Sequence, residues 1–144
     1  MSTAEEDLHQ TVDQVQAASR QFIIGDPAPF QACWSHADDV TICGAWGAYE
    51  RGWEQVGPRL EWGAARYRGG HTGFELLALA LSGDLAYSVW IERGEARVVG
   101  HDEFSPTALR VTQIYRREAG TWKIIHRHAD AIIEKIEATA VLQR

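Results

Sequence analysis

The chain has 144 residues, a formal charge of -6 and a pI near 5.5, with 45% hydrophobic residues and six tryptophans. That length fits one domain with a single core and room for one pocket, and an acidic balance with scattered arginines gives no footprint for nucleic acid. No apolar run reaches the length of a membrane span, and the start MSTAEEDLHQ is acidic where a signal peptide would be basic and then apolar, so a cytoplasmic protein without membrane contact is expected.

Thr3-Ala4-Glu5-Glu6 has the pattern of a capping box, and Leu8, Val12, Val15 and Phe22 keep to one helical face, so a first helix is expected to run to about Ile24. Gly25-Asp26-Pro27 ends it and opens a brief second helix with Phe30, Cys33 and Trp34 on one face. Val40-Thr41-Ile42-Cys43 predicts a strand that meets the glycine-rich Gly44-Ala45-Trp46-Gly47, and a polar turn is expected at Tyr49-Glu50-Arg51-Gly52. From Trp53 the spacing through Val56, Leu60, Ala64 and Tyr67 is helical, with Gly57-Pro58 expected to kink or delay its first turn. Arg68-Gly69-Gly70 closes that helix.

The remainder predicts antiparallel sheet: Phe74 to Leu81, Leu85 to Glu92, a turn at Gly94, Val98 to Phe104, Leu109 to Arg116, a turn at Ala119-Gly120, and Trp122 to Ala129. Helices first and a meander second indicate an α+β domain in which a curved, mixed, mostly antiparallel sheet wraps the N-terminal helices. Residues 1–144 are one domain, with 131–144 a tail whose Ile133, Ile136 and Ala140 have weak helical spacing. Cys33 and Cys43 lie in apolar stretches without metal-type spacing and are expected to be reduced core residues.

The last strand carries the candidate chemistry. In WKIIHRHAD, residues 122–130, strict alternation puts Trp122, Ile124, His126, His128 and Asp130 on one face and Lys123, Ile125, Arg127 and Ala129 on the other. Pairing Arg116 with Trp122 joins apolar to apolar: it sets Ile114 by Ile124, Thr112 by His126 and Arg110 by His128 on a cavity face. Val111, Gln113, Tyr115, Ile125 and Arg127 then share the opposite face, free for a partner subunit. A positioned histidine typically contributes about a hundred- to ten-thousand-fold in rate as acid or base. Arg110 would stabilise a carboxylate, enolate or phenolate. A hydrogen-bonded network without chemistry would use the same residues. Two imidazoles at this spacing can also share an ion with Asp130 or His101, but no third ligand has diagnostic spacing, so no metal and no cofactor are expected.

Among the aromatics, Trp46 beside glycines at a strand end is the candidate pocket wall, while Trp34 and Trp122 suit the core. Tyr87 is a candidate donor to an oxyanion. Asp38 and Asp39 suit first the capping of a strand start, with Asp38 also a candidate for the pocket mouth.

Several stretches resemble one family: Trp34 before the DDVT strand start, RGW at 51–53, GG at 69–70, SGDLAY at 82–87, IER at 91–93, LRVTQIYRRE at 109–118 and WKIIHRHAD. Together they are similar to the SnoaL-like, ketosteroid-isomerase-related branch of the nuclear-transport-factor-two-like (NTF2-like) superfamily, over nearly the whole chain. The resemblance implies a cone-shaped α+β barrel holding a pocket, and a homodimer through the sheet face opposite that pocket. It implies no single activity, since the superfamily includes isomerases, cyclases, dehydratases, epoxide hydrolases and non-catalytic domains. The aspartate, tyrosine and protonated aspartic acid of ketosteroid isomerases have no residue-by-residue match here. SnoaL-type cyclases use an aspartate near the mouth of the late strands, where His126, His128 and Asp130 are the nearest candidates. The resulting expectation is a pocket for a small hydrophobic molecule, in a cofactor-free acid/base isomerase, cyclase or dehydratase acting on a hydrophobic carbonyl compound. The alternative is a non-catalytic ligand-binding or dimerisation domain.

Overall fold

A computed structural model describes residues 2–142. Helix α1 (Ala4–Phe22) is capped by Thr3, whose hydroxyl accepts from the Glu6 amide at 3.1 Å, and its first turn is acidic, which suits the positive end of the helix dipole. Leu8, Val12, Val15 and Ala18 form its buried stripe. Helix α2 (Ala28–Ala32) stops before Trp34, which instead makes an isolated bridge to Ile124 and is almost fully buried. Helix α3 (Trp53–Ala64) continues through Pro58 without a break. It starts at Gly52, where φ is +80° and a Cβ would press on the Asp38 carbonyl, so only glycine suits that entry.

Six strands form one sheet in the order β2-β1-β6-β5-β4-β3, with β1 (Thr41–Cys43), β2 (Glu50–Arg51), β3 (Tyr67–Ser82), β4 (Leu85–Val98), β5 (Ser105–Glu118) and β6 (Thr121–Ala131). Among the six described strands only the β1–β6 pairing is parallel. The edges β2 and β3 are not paired with each other, so the cone is open and not a closed barrel. Its inner face packs Trp90, Val111, Tyr115 and Ile124 against Leu8, Val12, Val15 and Phe30 of the helices in one core. The Trp122 indole donates to the Ala4 carbonyl at 3.0 Å and ties the last strand to the first helix.

Four local expectations are corrected. No strand runs from Val98 to Phe104: β4 ends at Val98, and residues 99–104 are a turn and irregular chain leading to β5. The segment Glu50-Arg51 is a short strand and not only a turn. Strand β3 begins at Tyr67, so Gly69 and Gly70 lie inside it at a register shift. Gly94 is no turn: it sits within β4 opposite Thr72, and a Cβ there would collide with the His71 carbonyl. Glycine at this place permits two backbones to approach, and the chain reverses after Val98. Both cysteines are free and half-buried. The described part of the tail, 132–142, is irregular apart from a 3₁₀ turn at Ala138–Val141, with Ile133 and Ile136 exposed, and residues 143–144 lie outside the described residues.

Candidate functional site

The last hairpin decides what faces inward. Trp122 and Ile124 are buried, as alternation requires. Yet Tyr115 pairs with Ile124 while Ile114 pairs with His126, leaving Ile125 as one extra residue on β6. A single inserted residue exchanges the faces of everything after it. Arg127, Ala129 and Ala131 therefore line the cavity, and His126, His128 and Asp130 project from the outer side of the sheet. The expected register is corrected accordingly: Thr112 pairs with His128 and Arg110 with Asp130. Arg110 grips the Asp130 carboxylate through two hydrogen bonds of 2.7 Å, in water, and this pairing holds the acid below the usual carboxylate range. His126 shares a 2.7 Å hydrogen bond with the Thr41 hydroxyl. Burial lowers its pKa, and the neighbouring His128 lowers it further.

The cavity, of about 330 Å³, is bounded by α3, the end of α1, Phe30 of α2, β1 with the loop after it, and strands β3 to β6. Phe22, Leu60, Trp62 and Leu109 supply apolar wall. Trp46 stands on the loop after β1, half-exposed, with its ring 5.2 Å from Tyr67 and 5.7 Å from Trp62 between centroids. Arg59 stacks over Trp62 at 3.9 Å. Of the residues singled out from sequence, Trp46 lines the cavity. Tyr87 does not; it lies on the outer face between Ala80 and Ile114. Asp38 does not either, being in an exposed bend ahead of β1, and Arg110, Thr112, His126, His128 and Asp130 are likewise outside it.

The polar floor comes from residues that sequence reasoning assigned to the wrong face or passed over. Inward alternation along β4 places Ser88, Trp90 and Glu92 on the cavity side, all buried. Glu92 receives the Trp90 indole N–H at 2.9 Å and both terminal nitrogens of Arg127 at 3.3 and 3.4 Å. Arg127 Nη1 also donates to Gln113 Oε1 at 3.0 Å. Gln113 Nε2 donates to the Tyr115 hydroxyl at 2.9 Å, which shares a 2.7 Å bond with Ser88. The chain of contacts thus runs from the cavity into the core. Side-chain exposures of 13% for Arg127 and 10% for Glu92 leave this pair desolvated yet accessible from the cavity. Burial pushes the Tyr115 phenol up to about 12 and also raises Tyr67, where Arg127 works against the shift and Glu92 adds to it. Both phenols are therefore neutral donors at physiological pH. The available signal in the sequence was Trp90-x-Glu92 on one strand and Gln113-x-Tyr115 on the next: polar groups at the same parity as buried aromatics.

Among the described residues, no group of three or more His, Cys, Asp or Glu side chains is placed to hold one ion. What the site offers is an apolar chamber ending on a carboxylate, a guanidinium and a phenol. Such a set can orient a polar end, accept a proton and stabilise developing negative charge.

Neither a protein-family profile nor a curated protein sequence matches the chain. Solved structures do. An NTF2-like protein of unknown function from Pseudomonas putida KT2440 is 27% identical, with a TM-score of 0.70 over 95% of this chain and 99% of that one. An NTF2-like superfamily protein from Salmonella enterica serovar Typhimurium LT2 has a TM-score of 0.76 at 14% identity, covering 94% and 95%. A candidate dehydratase of the NTF2-like family from Streptomyces avermitilis has a TM-score of 0.74 at 17% identity, covering 89% and 95%. The chain has the NTF2-like fold, and the resemblance seen in its sequence holds at the level of that superfamily.

Proposed function

We propose that the protein takes a small, largely apolar carbonyl compound into this cavity and transfers a proton at its polar end without an organic cofactor, as an isomerase, cyclase or dehydratase does. The observation that carries the reading is the largely buried Glu92–Arg127 pair in the lining of a mostly apolar cavity. Glu92 would move the proton, while Arg127 and the neutral Tyr67 phenol would hold the oxygen on which charge develops. The fold shared with a candidate dehydratase accords with this chemistry.

One observation favours a second reading. Three N–H contacts already occupy the Glu92 carboxylate, an arrangement that suits recognition without turnover. A thermal-shift screen of hydrophobic carbonyl compounds, followed by product analysis with each hit, separates the two. The catalytic reading expects turnover that Glu92→Gln abolishes while hit binding persists. Hits that emerge unchanged from mildly acidic to mildly basic pH would leave binding alone.

The outer sheet face, with Tyr87, Val89, Ile91 and Ile114 around the Arg110–Asp130 pair, is the surface we assign to a homodimer. Light scattering at high micromolar concentration tests it; a clean monomer removes the assignment.

A further inference from the structure

We propose that the cavity selects a neutral ligand whose polar end both donates and accepts a hydrogen bond, such as a primary carboxamide or a hydroxy-carbonyl group, over a carboxylate. The inference rests on the cavity being a ligand site and concerns what its floor accepts. Three of the five N–H groups of Arg127 are engaged, two by Glu92 and one by Gln113, so two remain for a ligand among the described residues. On Glu92 the contacts are uneven: Oε2 receives two donors and Oε1 one, at 3.4 Å. A carboxylate offers about four acceptor positions, so Oε1 has capacity for an incoming N–H or O–H. Unused donor and unused acceptor thus stand side by side on one floor.

Charge points the same way. Arg127 is neutralised by Glu92 before any ligand arrives. Elsewhere in the lining, Arg59 is stacked on Trp62 and faces Glu50 at 3.6 Å, while Glu95 lies 3.7 Å from His71. The cavity therefore has no uncompensated cation to draw in an anion. A carboxylate at the floor would meet Glu92 at close range in an apolar chamber, where an unpaired charge is strongly disfavoured. A carboxamide turns its oxygen to Arg127 and its N–H to Glu92, and satisfies both. The cavity volume lies near the lower end for small-molecule sites, which limits the body to about two or three rings.

N-phenyl-1-naphthylamine, a neutral fluorescent probe, reports occupation of the cavity, and Ala131→Trp at its exposed rim provides the blocked control. Displacement by cinnamamide and by cinnamate, which share one skeleton, then reads the floor. We expect cinnamamide to displace the probe at a concentration at least about tenfold lower than cinnamate at pH 7.5, a difference of about 1.4 kcal/mol. Glu92→Gln, which frees Arg127 from its counterion, should strengthen cinnamate binding by about tenfold or more. Cinnamate equal to or better than cinnamamide, or neither displacing a bound probe, overturns the selection while leaving the cavity as a ligand site. A probe that does not bind, or binds equally to Ala131→Trp, overturns the ligand site and the selection with it. If Glu92→Gln does not fold, the ranking on the unmodified protein decides.

Discussion

Arg127 on β6 and Glu92 on β4 meet across the intervening strand β5, whose Gln113 accepts from the same guanidinium. Three strands are thereby joined at the cavity floor by side chains that their sequence separation of 35 residues does not bring together locally. Both partners are largely desolvated, so each depends on the other for compensation.

Removing one partner should therefore cost far more than removing both. Arg127→Met strands a buried carboxylate and is expected to lose about 3–5 kcal/mol in urea unfolding. The double variant Arg127→Met with Glu92→Leu should recover most of that loss. Equal destabilisation by the single and double variants would mean that the pair is not coupled as its geometry states.

Much of the fold was legible because local signals agree with it: the Thr3 cap, the α1 stripe and the period-two burial of β4 all follow from residue type and spacing. The site was not, and the cause is one residue. Alternation through Ile124 is correct, but the insertion at Ile125 leaves both isoleucines apolar, so nothing in the run WKIIHRHAD marks where the phase changes. Histidines expected in the cavity went outward, and Arg127 came in. Gly94 failed for a related reason: a glycine that permits close strand contact looks the same in sequence as one that permits a turn.

The Gly94 contact predicts a sharp contrast between neighbouring glycines. A methyl group at Gly94 would strike the His71 carbonyl, backbone against backbone, whereas at Gly73 the nearest atom, the Arg93 carbonyl oxygen, is 3.8 Å away. Gly94→Ala is expected to destabilise by about 1–3 kcal/mol or more through overpacking. Gly73→Ala should be neutral or slightly stabilising, since it removes glycine's excess freedom from the unfolded chain. Similar melting temperatures for the two variants would refute the close approach of β3 and β4.

His126 gives the stability a pH dependence of definite sign. Burial, and secondarily His128, lower its folded pKa below the unfolded value of about 6.5, so the unfolded chain binds more protons in that region. The contribution is fully present above about pH 6.5 and is lost as the pH falls from there toward the folded pKa, after which it levels off. Urea midpoints measured from pH 7.5 to 5 should show a shallower acid decline for His126→Gln than for the unmodified protein. Parallel curves would show that His126 titrates alike in both states.

Gln113 is expected to act as a positioning residue for Arg127. Its two ends are committed, one accepting from Arg127 and the other donating to Tyr115, and it is fully buried. Leucine in its place leaves both neighbours short of a partner, at a cost of about 1–3 kcal/mol. Stability alone does not separate positioning from packing, so the comparison is with Ser88→Ala, one hydrogen bond farther from the cavity. Both variants should be destabilised, but only Gln113→Leu should weaken cinnamamide in the displacement assay, because only it releases the guanidinium that the ligand must find in place. Equal affinities for the two variants would assign Gln113 to the core network alone and leave Glu92 as the residue that fixes Arg127.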